Sequence, residues 1–282
     1  MSKAKPEKKS LPKRFYAAAK MQQNADGFCI TLDGKLLRTQ GRNMLQLHHA
    51  EIAAAIAAEW EAQGPHIDPD TMPLTRLINL ALDRAAIDRD AWLEEITRYG
   101  ETDLLCYRAP HTPNSPLKGE RDVRVHSRGG DFPHAVPPTE SQVRFDSPSG
   151  GELRAKQDAS FTPILEWAAG QGVRLHVTEG VMPVAQSAES LHTLRMLFAA
   201  ATDGELAALA MLTPLLGSAL LTLALWKCKI TVGDALIACR LDEDFQAAQW
   251  GEDEEAAKAW AAKRRDTQAA AFFLDTQTLK KP

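Results

Sequence analysis

The carboxylates most able to do chemistry lie near the C-terminus, in Leu241-Asp242-Glu243-Asp244-Phe245-Gln246 and then Trp250-Gly251-Glu252-Asp253-Glu254-Glu255. Paired carboxylates can perform general acid–base work or hold a divalent cation. Either task requires them to converge on one cavity. On a helix, Glu243 and Gln246 share a face, and Trp250 lies four residues beyond Gln246. A band of carboxylate, amide and indole suits a contact with another protein better than a hydrolytic dyad. Acids at 252–255 also suit the first turn of a following helix, where the macrodipole favours negative charge. The rival reading is a metal-dependent hydrolase using Asp242, Glu243, Glu254 and a histidine.

Other candidates are weaker. Asp68-Pro69-Asp70 precedes a helix and reads as a loop that sets its entry angle; Arg76 can neutralise Asp83 or reach a partner. His48-His49 are adjacent and point apart on a helix. His111, His126 and His134 lie in a Pro/Gly-rich stretch with no supporting cysteine. The four cysteines, Cys29, Cys106, Cys228 and Cys239, have no CxxC spacing and sit in apolar sequence. They read as small hydrophobes in a reducing compartment, without structural metal or disulfide. No glycine-rich phosphate loop, HExxH or GxSxG occurs. No cofactor is expected.

Composition narrows the field further. The chain has 282 residues and a formal net charge of -4, which gives no reason to expect nucleic acid as a partner. The start, MSKAKPEKKS, is basic and lacks a following apolar run, so a cytoplasmic protein is expected. The uncharged stretch 206–226 is long enough to span a bilayer. Its Pro214, Gly217 and Ser218, and its polar flanks, favour a buried helix or helix pair and no integral membrane segment.

The elements that must position these residues follow from periodicity and turn chemistry. Short strands are expected at 15–23, 28–32, 35–39 and 44–47, with Asp33-Gly34 as a hairpin turn. A helix over 49–63 carries Ile52, Ile56 and Trp60 on one side. Two helices are expected next, one capped by Thr71 with Leu74, Leu77, Ile78, Ala81 and Leu82 inward, and one over 89–99. The pattern dissolves from 110 to 156, where prolines and glycines recur around possible strands at 123–125 and 142–145. Helices are then expected over 160–169, 188–200, 203–226, 231–250 and 253–275, with a short β-like stretch at 173–178. Pro214 or Gly217-Ser218 can split the long one. Thr231 and Asp234 resemble a capping box.

The expected fold is therefore α+β. A small antiparallel β-rich domain with a covering helix spans 15–70, after a basic flexible tail at 1–14. A mainly helical domain spans 71–282, with the loop-rich excursion at 110–156.

An ordered series of motifs then carries a family resemblance. It runs through Phe15-Tyr16, Leu32-Asp33-Gly34-Lys35, Ala57-Ala58-Glu59-Trp60-Glu61-Ala62-Gln63, and Asp68-Pro69 with Thr71-Met72-Pro73-Leu74-Thr75-Arg76-Leu77. It continues with Asp83-Arg84, Thr102-Asp103-Leu104-Leu105-Cys106-Tyr107-Arg108-Ala109, Gly217-Ser218, Arg240 to Gln246, and Trp250-Gly251. The series resembles the Atp-twelve family of ATP synthase F(1) assembly chaperones over about 15–109 and 157–270. The chain departs from the family's usual short link by its 110–156 excursion, and Ser160-Phe161-Thr162-Pro163 stands where the family has WDP. The resemblance implies a non-enzymatic holdase for the free α subunit of F(1), acting before that subunit pairs with β. It also implies a functional acidic motif at Asp242, Glu243 and Asp244, with Gln246 and Trp250 as neighbours. Glu243 is the foremost of these, and Glu254 and Arg76 complete the expected partner-binding set.

Overall fold

The computed structural model describes residues 11–110 and 150–278. His111, His126, His134, the possible strands at 123–125 and 142–145, and tail residues 1–10 lie outside the described residues. The expected α+β fold is present: a small antiparallel sheet with a covering helix, then a predominantly helical body.

Strands β1 (Ala19–Asn24), β2 (Gly27–Leu32) and β3 (Lys35–Leu36) form the sheet in that order. Asp33 (φ 49°) and Gly34 (φ 81°) both adopt the left-handed conformation that an Asp-Gly hairpin turn requires. The Asp33 carboxylate also accepts from the backbone N–H groups of Ala17 (3.0 Å) and Ala18 (2.9 Å). The expected strand at 44–47 is reduced to isolated bridges, Arg38 with Met44 and Phe28 with Leu47. The Leu47 carbonyl there approaches Gly27 (φ 131°) so closely that a Cβ would collide with it. The first strand starts at Ala19, later than expected, because the residues before it pair elsewhere. Pro12 accepts from the Ile67 N–H (2.8 Å), and the Arg14 N–H donates to Pro65 (2.9 Å). Residues 11–14 are thus fastened to the body, in contrast to the flexible tail expected there.

Helix α1 (Ala50–Glu61) lies on this sheet and buries Ile52, Ala53, Ile56 and Ala57. Each of the two isoleucines contributes about 1.5–3 kcal/mol by its burial. Helix α2 (Pro73–Glu101) follows as one continuous element of 29 residues, where two helices were expected. No glycine or proline interrupts it between Leu74 and Tyr99. Its apolar periodicity lapses only because Arg84, Ile87 and Asp90 face solvent. Thr71 does not cap it. The Glu59 carboxylate of α1 accepts from the Leu74 N–H (2.8 Å), the Thr75 N–H (2.8 Å) and the Thr75 hydroxyl (2.7 Å). Burial pushes the Glu59 carboxyl above its usual value, against the opposing effect of those bonds.

Beyond a 3-10 turn at Leu104–Cys106, β4 (Tyr107–Arg108) pairs in parallel with β5 (Thr178–Glu179). Helix α3 (Gly150–Gly170) starts earlier than the expected Ser160 and runs through Pro163. Residues 150–156 of the expected excursion are therefore helical. Helices α4 (Ala188–Ala199), α5 (Asp203–Leu216), α6 (Ala219–Trp226), α7 (Val232–Cys239), α8 (Leu241–Trp250) and α9 (Glu254–Thr278) complete the chain. The uncharged stretch folds back on itself as α5 and α6, breaking at Gly217 (φ 66°). All residues of α6 are buried, which explains its lack of any polar face. Among the described residues no helix is long and apolar enough to cross a membrane. The expected helix over 231–250 divides at Arg240 into α7 and α8; Thr231 and Asp234 do form a capping box.

Helix α2 is the spine, packed against α1, α4, α5, α6 and α9. One continuous core runs from Ile30 and Leu47 of the β-rich part, through Ile56, Leu77 and Ile96, to Leu209 and Leu223. All four cysteines are free. Burial pushes the Cys106 thiol up to about 12 and raises that of Cys239, as suits inert core residues. Cys228 departs from expectation. It is exposed, with φ 53°, on the turn that leaves α6.

A buried carboxylate locks the break between α5 and α6. Asp103 is fully buried and accepts from the Ser218 hydroxyl (2.6 Å), the Leu220 N–H (3.0 Å) and the Leu105 N–H (3.0 Å). Burial raises its pKa to about 6, against the opposing effect of these bonds. Native Asp103 therefore holds a proton between about pH 4 and 6 that the unfolded chain has released. Its proton linkage stabilises the fold below that window and is lost as pH rises through about 6. Asp103→Asn is expected to cost about 1–3 kcal/mol at pH 7, because an amide N–H₂ must face a backbone donor. Urea unfolding of both proteins should show the gap widening by about 2 kcal/mol from pH 7 to pH 4.5.

Candidate functional site

Helix α8 carries the acidic motif and has no fully buried residue. Asp242, Glu243 and Asp244 occupy its first turn, where the helix dipole favours them. Its back is anchored by residues from other elements. The buried Gln157 of α3 donates to Asp242 (2.8 Å) and accepts from the Ala109 N–H (2.7 Å). The Lys156 ammonium lies over the Phe245 ring at 5.1 Å. At the front end, the Arg240 guanidinium pairs with Asp244 (2.8 Å) and with Glu252, and it lies 4.6 Å from the Trp260 ring centre. One largely buried arginine thus ties α8 to the loop after it and to α9.

What remains free is a narrow face. Glu243 and Gln246 are exposed, and Trp250 is 74% exposed. These three share one side of the helix. Glu243 makes no hydrogen bond or ion pair with any described residue, although its charge helps raise the pKa of the buried Cys239 thiol.

The other expected residues are placed differently. Glu254 opens α9 and pairs with Lys258 (2.5 Å), one turn on. Arg76 does not reach Asp83. It pairs with Asp266 of α9 (2.6 Å), while Asp83 accepts from the Thr39 hydroxyl (2.5 Å), the Gly41 N–H (2.7 Å) and the Asn43 amide (2.8 Å). Asp68 accepts from the Asp70 N–H (3.1 Å) and helps form the turn before α2. The carboxylates near the C-terminus therefore do not converge on a cavity. Among the described residues no group of three or more His, Cys, Asp or Glu side chains is placed to hold a metal ion.

Sequence reasoning missed the residues that aim this face. Arg240 lay inside the motif and was read only as its edge. Gln157 and Lys156 had no local signal, because their partners are on α8, more than eighty positions away in the chain.

Comparison with known proteins finds relatives along nearly the whole chain. The family model for ATP12 chaperone protein matches residues 13–169. The crystal structure of Atp12 from Paracoccus denitrificans is 32% identical, with 94% of this chain and 97% of that chain covered, at a TM-score of 0.69. A crystal structure of a protein from Agrobacterium tumefaciens is 34% identical, with 95% of this chain and 87% of that chain covered, at a TM-score of 0.71. Identity at this level over nearly the whole length shows shared ancestry as well as a shared fold. The chain belongs to the ATP12 chaperone protein family, and it is a chaperone rather than an enzyme.

Proposed function

We propose that the protein binds the free α subunit of the F(1) sector of ATP synthase and holds it until it pairs with β. An unassembled subunit exposes the surface meant for its neighbour, and a large exposed apolar patch promotes wrong association. A reversible cover prevents this. The proposed setting is a bacterial cytoplasm, where free cysteines persist.

The observation that carries this reading is the outward face of α8: an exposed indole beside a carboxylate with no internal partner, on a helix whose back is fixed. A rigid aromatic anchor with a flanking charge is the usual composition of a binding hot spot. In the proposed division of labour, Glu243, Gln246 and Trp250 touch the client. Asp242 and Asp244 position the helix through Gln157 and Arg240. Glu254 adds negative charge at the start of α9. Arg76 belongs to a separate surface between α2 and the sheet.

Two outcomes test this. Glu243→Lys and Trp250→Ala are expected to leave the thermal midpoint unchanged, because both side chains are exposed. Each should reduce capture of purified α subunit by about tenfold or more. Undiminished capture by both variants removes α8 from the interface. Arg240→Met is expected to raise amide exchange selectively over 241–252 and to weaken capture less than Trp250→Ala does. Uniform exchange across the chain would show that Arg240 supports the global fold instead.

A further inference from the structure

A second surface has the opposite chemistry. A groove of about 310 Å³ lies between the β-rich part and the start of α2. Its apolar lining includes Leu37, Trp60, Ile67 and Met72. Phe15 lines it too, and its ring is 73% exposed, touching the edge of the Tyr16 ring at 5.4 Å. Among the described residues, the charged side chains lining the groove are Arg38 and Arg76. Arg38 donates to the Arg42 carbonyl and pairs with no carboxylate among the described residues; Arg76 shares its charge with Asp266. The groove continues past Gln40, Arg76 and Asn79 into a neighbouring hollow of about 480 Å³. The acid there, Asp83, is already engaged by Thr39, Gly41 and Asn43.

We infer that this groove docks an extended segment of the client polypeptide in which a bulky apolar side chain is flanked by carboxylates. The inference deepens the client-binding reading and rests on it. Charge decides the occupant. The chain's own residues 1–10 carry Lys3, Lys5, Lys8 and Lys9 against the single acid Glu7, a net positive charge that two guanidiniums would repel. A long hollow with an aromatic, apolar lining and cationic rim suits a linear peptide whose backbone runs along it. Tryptophan and arginine are the residues that most often dominate such contacts. The client would then be held at two places of opposite sign, its basic patch on α8 and its acidic, apolar segment here.

The test uses the full chain and two fluorescein-labelled peptides that share a Leu-Phe centre and differ only in flanking Glu or Lys. The expected result is binding of the Glu peptide alone, by fluorescence anisotropy, weakening as salt is raised. Arg38→Glu and Phe15→Ser should each weaken it about tenfold without moving the thermal midpoint, since both side chains are exposed. Glu243→Lys should leave it unchanged. Equal binding of the Lys peptide, or no loss with Arg38→Glu, overturns the inference. Self-association of the chain that Arg38→Glu abolishes overturns it in favour of a second copy. Failure of the unaltered chain to capture the α subunit, with selective peptide binding intact, counts against the proposed client and not against the groove.

Discussion

The first N–H groups of a helix have no partner within the helix, and where that end is buried, something else must supply the acceptors. In this protein remote carboxylates supply them. Glu59 reaches from α1 to the start of α2, and Asp103 reaches from the end of α2 to the start of α6. Glu205 does so locally, closing the capping box at α5 while also accepting from the Trp226 indole (3.3 Å). Each carboxylate loses hydration on burial and recovers it as bonds to a helix end that is itself in need. Helix α1, the spine α2 and the wholly buried α6 are fixed to one another through these exchanges.

That arrangement marks what could and could not be read along the chain. Turn chemistry at Asp33-Gly34, the apolar face of α1 and the capping box at Thr231 are local, and the structure has them where the sequence places them. Glu59 and Asp103 lie inside motifs that were visible, yet their acceptor roles depend on partners far along the chain. The continuity of α2 was hidden because its middle faces water on more than one side, so periodicity faded where the helix did not. Only the first ten residues of α3 were hidden, because Gly150 to Ala159 has a single large apolar residue, Leu153, and so no apolar periodicity.

The candidate site was legible to the same partial degree. The spacing of Glu243, Gln246 and Trp250 placed them on one face, and the structure exposes that face. Spacing alone could not distinguish these outward groups from Asp242 and Asp244, which are used internally. The groove beside α2 was not legible at all. It draws on residues from 12 to 79 that meet only when α1 and the sheet close over the start of α2. Arg76 links the two views, since its pairing with Asp266 holds α9 against the spine while its flank lines the groove.

The bond between Asp103 and Ser218 spans 115 positions of chain. Translation delivers the N-terminal end first, at about 5–20 residues per second. A nascent chain that has completed α2 must therefore wait for the ribosome to reach Leu220 before the carboxylate finds its helix end. Throughout that interval the inward side of α2, with Leu77 and Ile96, lacks its cover from α5 and α9. Phe273 and Leu274, which close the core, are made later still. A chaperone thus passes through an uncovered stage of its own, and the last turns of α9 end it.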